Sequence, residues 1–245
     1  MKNILILGCS FSAGSFINNK LLTNSEGWYN FVDVFKGHNV TVISTPGNGY
    51  SLWFQILFLM DRYKKIKQYD QIIIQETLEP RLCFSDILEL EFYIKSDFIS
   101  LLEIINNINR CIILANSRKN IWEGYNFKNI GGLILGPWGM YQEFSKEIKN
   151  KLLKIYVGNW DIMHEMIIES CKYKINKICE KNNIKKIAFH FPFIDTFRTT
   201  ICHQTLKENI KLGTVINDQI ISTGNLINQE KINFSKWDDE KNELI

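Results

Sequence analysis

A serine directly behind a run of branched aliphatic residues is the residue best placed for chemistry in this sequence. Ile4-Leu5-Ile6-Leu7 runs into the small-residue stretch Gly8-Cys9-Ser10-Phe11-Ser12-Ala13-Gly14. Four consecutive aliphatics bounded by Gly suit a strand covered on both faces, and such strands belong to parallel sheets flanked by helices. Ser10 then stands at the carboxyl edge of the sheet, where open α/β sheets bind ligands and a helix starting there aims N–H groups at negative charge. Three phosphate-binding or nucleophile motifs do not fit. A dinucleotide fingerprint needs Gly at Ser10, a P-loop needs Lys after Gly14, and a Gly-x-Ser-x-Gly elbow needs Gly at Ser12. Two plainer uses stay open: Ser10 as the N-cap of a helix, or the turn as a nucleotide or phosphate cradle.

Gly8 to Gly14 resembles the first block of the SGNH/GDSL hydrolase superfamily, Gly-Asp-Ser-(Leu/Ile/Phe)-(Thr/Ser)-x-Gly, with Cys9 in place of Asp. As a divergent member, the chain would be a three-layer α/β/α sandwich (flavodoxin-like, SGNH hydrolase type), with Ser10 the nucleophile of ester hydrolysis. Such a nucleophile needs a base to take its proton and donors for the oxyanion. Pro46-Gly47-Asn48-Gly49-Tyr50-Ser51 is similar to the superfamily's second block, which implies the Gly49 N–H as an oxyanion donor with Gly47 beside it. A tight strand exit with positive φ accounts for the same glycines. The third block, Gly-x-Asn-Asp, corresponds to Gln75-Glu76-Thr77-Leu78. Thr77 replaces the asparagine, and its hydroxyl can still donate one hydrogen bond. Arg81 is either a cation beside the pocket or a surface arginine paired with Glu79 or Glu76.

The superfamily places Asp-x-x-His after the last strand. Here that pattern occurs only at Asp161-Ile162-Met163-His164, ahead of the last predicted strand, where Asp161 is better explained as a helix-capping acid. Behind that strand stand Asp195 and His203, eight residues apart and so a departure from the superfamily's spacing, and His203 is the expected base with Asp195 as its orienter. His190 lies inside the strand, and His38 reads as a turn residue. No His/Asp/Glu cluster has metal-ligand spacing, and no cofactor is implied.

The elements that would position these residues follow from periodicity. Strands are predicted at Ile4–Leu7, Val40–Ile43, Ile72–Ile74, Cys111–Ala115 and Lys186–Phe191, giving a five-stranded, mostly parallel sheet. Helices are predicted at Gly27–Phe35, Ser51–Lys67, Phe98–Ile108 and Trp160–Asn182, with a polar loop from Gly14 to Ser25. A Gly- and aromatic-rich insertion at about 116–139, with Trp122, Tyr125 and Trp138, reads as a loop or lid, its aromatics pinning the loop or stacking on a sugar. The tail from about 195 is polar and weakly periodic. One domain spanning 1–245 accommodates all of this.

Composition narrows the partners. A net charge of +3, from 29 basic and 26 acidic residues, is too balanced for nucleic acid or an anionic membrane surface. Nor do the aromatics interleave with basic residues. Six cysteines without a Cys-x-x-Cys pair read as reduced core thiols, hence a soluble cytoplasmic protein. The apolar run behind Lys2 is shorter than the about seven residues a secretory segment needs, and none reaches the roughly 18 of a membrane span. The substrate implied by the resemblance is a carbohydrate acyl ester or a small ester. The alternative is an SGNH-like fold that binds a ligand or partner without catalysis, motivated by Cys9, Thr77 and the displaced Asp-x-x-His. Oligomeric state is not encoded in any of these patterns.

Overall fold

The computed structural model describes residues 1–9, 12, 15–17, 20–23, 27–44, 49–76, 81–85, 87–96, 110–115, 128–130, 133–135, 147, 160–190 and 206–222. It has α/β character and two compact units. The first comprises Met1–Pro46, Tyr69–Glu76 and Ile184–Ile245, the second Gly47–Gln68 and Thr77–Asn183.

The first unit is built on a four-stranded parallel sheet. Its strands are β1 (Asn3–Gly8), β4 (Asn39–Ser44), β5 (Gln71–Glu76) and β10 (Lys185–His190), in the order β10-β5-β1-β4. The aliphatic run of β1 explains its central place: Ile4, Leu5, Ile6 and Leu7 are wholly buried, as are Ile72 and Ile74 of β5. Burying each such side chain contributes about 1.5–3 kcal/mol, so the apolar runs Ile4–Leu7 and Ile72–Ile74 hold the middle of the sheet. The chain lays β4 on one side of β1, then crosses to put β5 and β10 on the other. The order therefore reverses between β1 and β5. In open α/β sheets the carboxyl ends of two such strands bound the ligand crevice.

Several local expectations are corrected. Gly14 to Ser25 is not simply a polar loop: β2 (Ser15–Ile17) and β3 (Lys20–Thr23) pair antiparallel within it. Gly27–Phe35 forms two 3₁₀ turns, Trp28–Phe31 and Asp33–Phe35, rather than one α-helix. Val32 between them is extended, with φ −96° and ψ 101°. The segment is dense in aromatic and β-branched residues, which lose rotamer freedom in a helix, and its side chains are better used as anchors. Trp28, Val32 and Phe35 are all buried.

The tail also contains structure its sequence hides. A helix at Leu206–Ser222 buries Asn209, Leu212, Ile216 and Asn217 on one face and packs on the Trp28–Phe31 turn. Gly213 permits that approach, because a Cβ there would stand 2.6 Å from the Trp28 carbonyl oxygen and 2.5 Å from Phe31 Cβ. Asn217 Oδ1 accepts the Val34 N–H at 3.2 Å. Two asparagines and a glycine in the buried stripe leave too few apolar residues for a periodic signal.

In the second unit, α1 (Tyr50–Arg62) and α2 (Ile87–Lys95) accompany the long α3 (Trp160–Lys181); the Leu206–Ser222 helix is α4. The antiparallel sheet here has the order β6-β7-β9-β8, from β6 (Arg81–Ser85), β7 (Arg110–Ala115), β8 (Lys128–Ile130) and β9 (Leu133–Leu135). The predicted strand at Cys111–Ala115 thus exists as part of β7, but it pairs antiparallel with β6 and β9 instead of joining the parallel sheet. The predicted insertion contributes two short strands, β8 and β9, which pair antiparallel. The predicted helix at Phe98–Ile108 lies outside the described residues.

Helix α1 is sewn to β6 by polar bonds: Ser51 Oγ accepts the Cys83 N–H at 2.6 Å, and Gln55 Nε2 donates to the Cys83 carbonyl at 3.1 Å. At its far end, Asp61 accepts from Lys181 Nζ at 2.7 Å and Asn182 Nδ2 at 2.8 Å. Burial pushes this carboxyl up, yet the two donors and the nearby positive charge outweigh it and hold Asp61 below the ordinary carboxylate value. Lys64, at φ 60°, turns the chain out of the helix. Among the described residues no helix is long and apolar enough to cross a membrane.

Candidate functional site

At the carboxyl end of the parallel sheet, one row of residues runs across all four strands. Gly8 pairs with Ser44 and Phe189 with Gln75; Leu7 pairs with Ile74, so Gly8 and Gln75 are neighbours one step further on. Because side chains on adjacent strands at one register point to the same face, Ser44, Gly8, Gln75 and Phe189 form a floor. All four are buried.

The turn behind β1 folds back over this floor. The Ser12 N–H donates to the Cys9 carbonyl at 3.0 Å, and Ser12 comes to lie above Gly8. A Cβ on Gly8 would stand 2.4 Å from both Cβ and Oγ of Ser12 and 3.5 Å from Gln75 Oε1. The glycine is thus required by close approach rather than by its dihedrals.

Buried polar groups then satisfy one another. Gln75 Oε1 is approached by three donors: Ser12 Oγ–H at 3.1 Å, and the Cys9 N–H and Sγ–H, each at 3.4 Å. Its amide nitrogen donates to the Glu76 carbonyl at 2.6 Å. Ser12 Oγ in turn accepts the Trp28 indole N–H at 2.8 Å, and the Ser12 carbonyl accepts from Ser44 Oγ at 3.0 Å. Trp28 sits edge-on to Phe189, ring centres 5.3 Å apart and planes at 86°. Cys9, Ser12, Trp28 and Gln75 have no exposed surface. Tyr29, beside Trp28, has its phenol pushed up to about 12 by burial, against the lowering effect of the Asn30 bond, so it is neutral near pH 7 and is no proton acceptor there.

The sequence-predicted residues fall as follows. Ser10 lies outside the described residues, between the described Cys9 and Ser12. Asp195 and His203 also lie outside them, in the chain between β10 and α4, and Thr77 likewise, next after β5. Arg81 is the first residue of β6, opposite Leu114 of the antiparallel sheet; its side chain is outside the described set. Gly49 caps α1, its carbonyl accepting from the Leu52 and Trp53 N–H groups at 3.1 and 3.0 Å. Its φ of −165° and ψ of −178° are extended, so the positive-φ explanation for this glycine is corrected. His190 ends β10, and Asp161 and His164 are the second and fifth residues of α3. His38 is at the opposite, amino end of the sheet, where its Nδ1 accepts the Lys2 N–H at 3.2 Å.

Sequence reasoning missed Gln75, Ser12, Ser44 and Trp28 as a set. The available signal was register: β1, β4 and β5 each turn from apolar to small or polar at Gly8, Ser44 and Gln75, one level of the sheet. Among the described residues, no three His, Cys, Asp or Glu side chains gather to hold a metal ion. Cys9, Cys83, Cys171 and Cys179 are buried. No protein-family model matches the chain, and no curated protein does.

Proposed function

We propose that this chain is a serine ester hydrolase of the SGNH type. Its parallel sheet would be the core of a flavodoxin-like sandwich, and its substrate a carbohydrate acyl ester or small ester. Ser10 Oγ attacks the ester carbonyl. Its proton passes to His203, oriented by Asp195, and from there to the departing alcohol. Water then releases the acyl group by the reverse proton path.

The observation that carries this reading is the turn at the β1/β5 reversal. Cys9 before Ser10 and Ser12 two residues after it are both tied to Gln75. A nucleophile gains from a carrier that is already fixed, because positioning accounts for a large part of a catalytic barrier. The β1/β5 carboxyl edge is also where a sheet of this order offers its ligand crevice.

Ser10→Ala is expected to abolish hydrolysis of p-nitrophenyl acetate and covalent labelling by a fluorophosphonate probe. Wild type and Ser10→Ala equally inactive across a broad acyl panel, with no labelling of either, would defeat the reading.

A further inference from the structure

We propose that Gln75 is a positioning residue that holds the turn bearing Ser10, an inference that rests on Ser10 being the nucleophile. A glutamine with no exposed surface, on a strand whose preceding three residues are isoleucines, is unfavourable unless its amide is hydrogen-bonded. Here the oxygen is used wholly by the turn. It faces donors from Cys9 and Ser12, residues 66 and 63 positions away in the chain. The nitrogen is engaged by the Glu76 carbonyl, and that bond fixes which way the amide faces.

The link continues beyond Gln75. The Ser12 hydroxyl donates to Gln75 and accepts from Trp28, so its rotor has one satisfied setting. Ser44 holds the Ser12 carbonyl from the other side. Gly8 leaves the space in which Ser12 and the Gln75 amide meet. Removing the Gln75 amide therefore frees the turn at both ends, Cys9 and Ser12. A nucleophile displaced by about 1 Å can lose about 10²-fold in rate without any change in substrate contacts.

The test uses the full-length chain as wild type, Gln75→Met and Gln75→Glu. Two readouts are taken: hydrogen exchange of the Cys9 and Ser12 amides by peptide mass spectrometry, and the rate of Ser10 labelling by a fluorophosphonate. Gln75→Met, which keeps the length but has no amide, is expected to speed exchange about tenfold and to slow labelling by about 10–10²-fold, with KM for p-nitrophenyl acetate unchanged. Burial disfavours the charged form of a carboxyl, and the protonated acid of Gln75→Glu keeps a carbonyl acceptor for Cys9 and Ser12 and an O–H donor for the Glu76 carbonyl, so it is expected to recover most of both.

Wild-type labelling that is indifferent to Gln75→Met overturns the proposal and leaves the nucleophile reading standing. A wild type not labelled at Ser10 overturns that reading, and a Gln75→Met turn that still loses protection then supports the hold on the turn by itself. Equal losses in Gln75→Met and Gln75→Glu, tracking a lowered melting temperature, show packing alone and overturn positioning. Should Gln75→Met fail to fold, Ser12→Ala decides from the other end of the bond: slowed labelling supports the link and an unchanged rate overturns it.

Discussion

The two ends of the parallel sheet are both tied by polar side chains, but in different surroundings. At the amino end, the Asn3 N–H donates to Asp70 Oδ2 and Asn39 Nδ2 to Asn3 Oδ1, each at 2.8 Å and each exposed. Backbone bonds from Asn39 to Lys2 and from Asp70 to Asn3, both 2.9 Å, complete that edge. At the carboxyl end, Gln75, Ser12, Trp28 and Cys9 are shut off from solvent. A bond lost at the amino end is replaced by one to water, so little is lost. A bond lost at the carboxyl end leaves a dry donor or acceptor with nothing to meet it, which costs about 1–3 kcal/mol. Comparable polar residues thus serve as a solvated hem at one end and as a fixed mount at the other.

Substitutions at the two ends sharpen this contrast. Gly8→Ala is expected to be the most damaging, because the new methyl would collide with the Ser12 side chain at 2.4 Å. A loss of about 3 kcal/mol in urea unfolding, the upper part of the range for overpacked cores, is the expected outcome, and a neutral Gly8→Ala would show that Ser12 does not sit over Gly8. Ser12→Ala comes next, at about 2 kcal/mol, since it strands the buried Trp28 indole N–H and removes one donor from Gln75. Smallest is Asp70→Ala at the solvated end, expected within about 0.5 kcal/mol of wild type. Equal losses for Asp70→Ala and Ser12→Ala would erase the distinction between the ends.

How much of this the sequence disclosed depends on what kind of pattern each element carries. The cores of β1 and β5 are plain in it because a strand covered on both faces has no reason to alternate, and β4 and β10 because their β-branched and aromatic residues favour strands. Helix α3 is plain for the opposite reason: Ile168, Cys171, Ile175, Ile178 and Cys179 recur at helical spacing and are buried. Helix α4 is hidden because its stripe uses Asn209, Gly213 and Asn217 where apolar residues would have announced it. Of the candidate site, the turn after β1 and its place at the sheet edge were legible, since they follow from one continuous segment. Gln75 was not. A lone amide at the end of an isoleucine run looks like the first residue of a loop, and its bonds to Cys9 and Ser12 have no trace in local spacing.

The strand order has a consequence for how this chain is made. Strands β4, β1 and β5 come from the first 76 residues, whereas β10, which covers the outer side of β5, begins at Lys185. During synthesis, residues 77–184 must emerge while β5 still presents an unpaired row of N–H and C=O groups, the kind of edge that recruits foreign strands. The floor beneath the turn is completed in the same late step, because Phe189, against which Trp28 rests, arrives with β10. A nascent chain halted before residue 185 therefore has the serine turn but neither its last wall nor a sealed sheet.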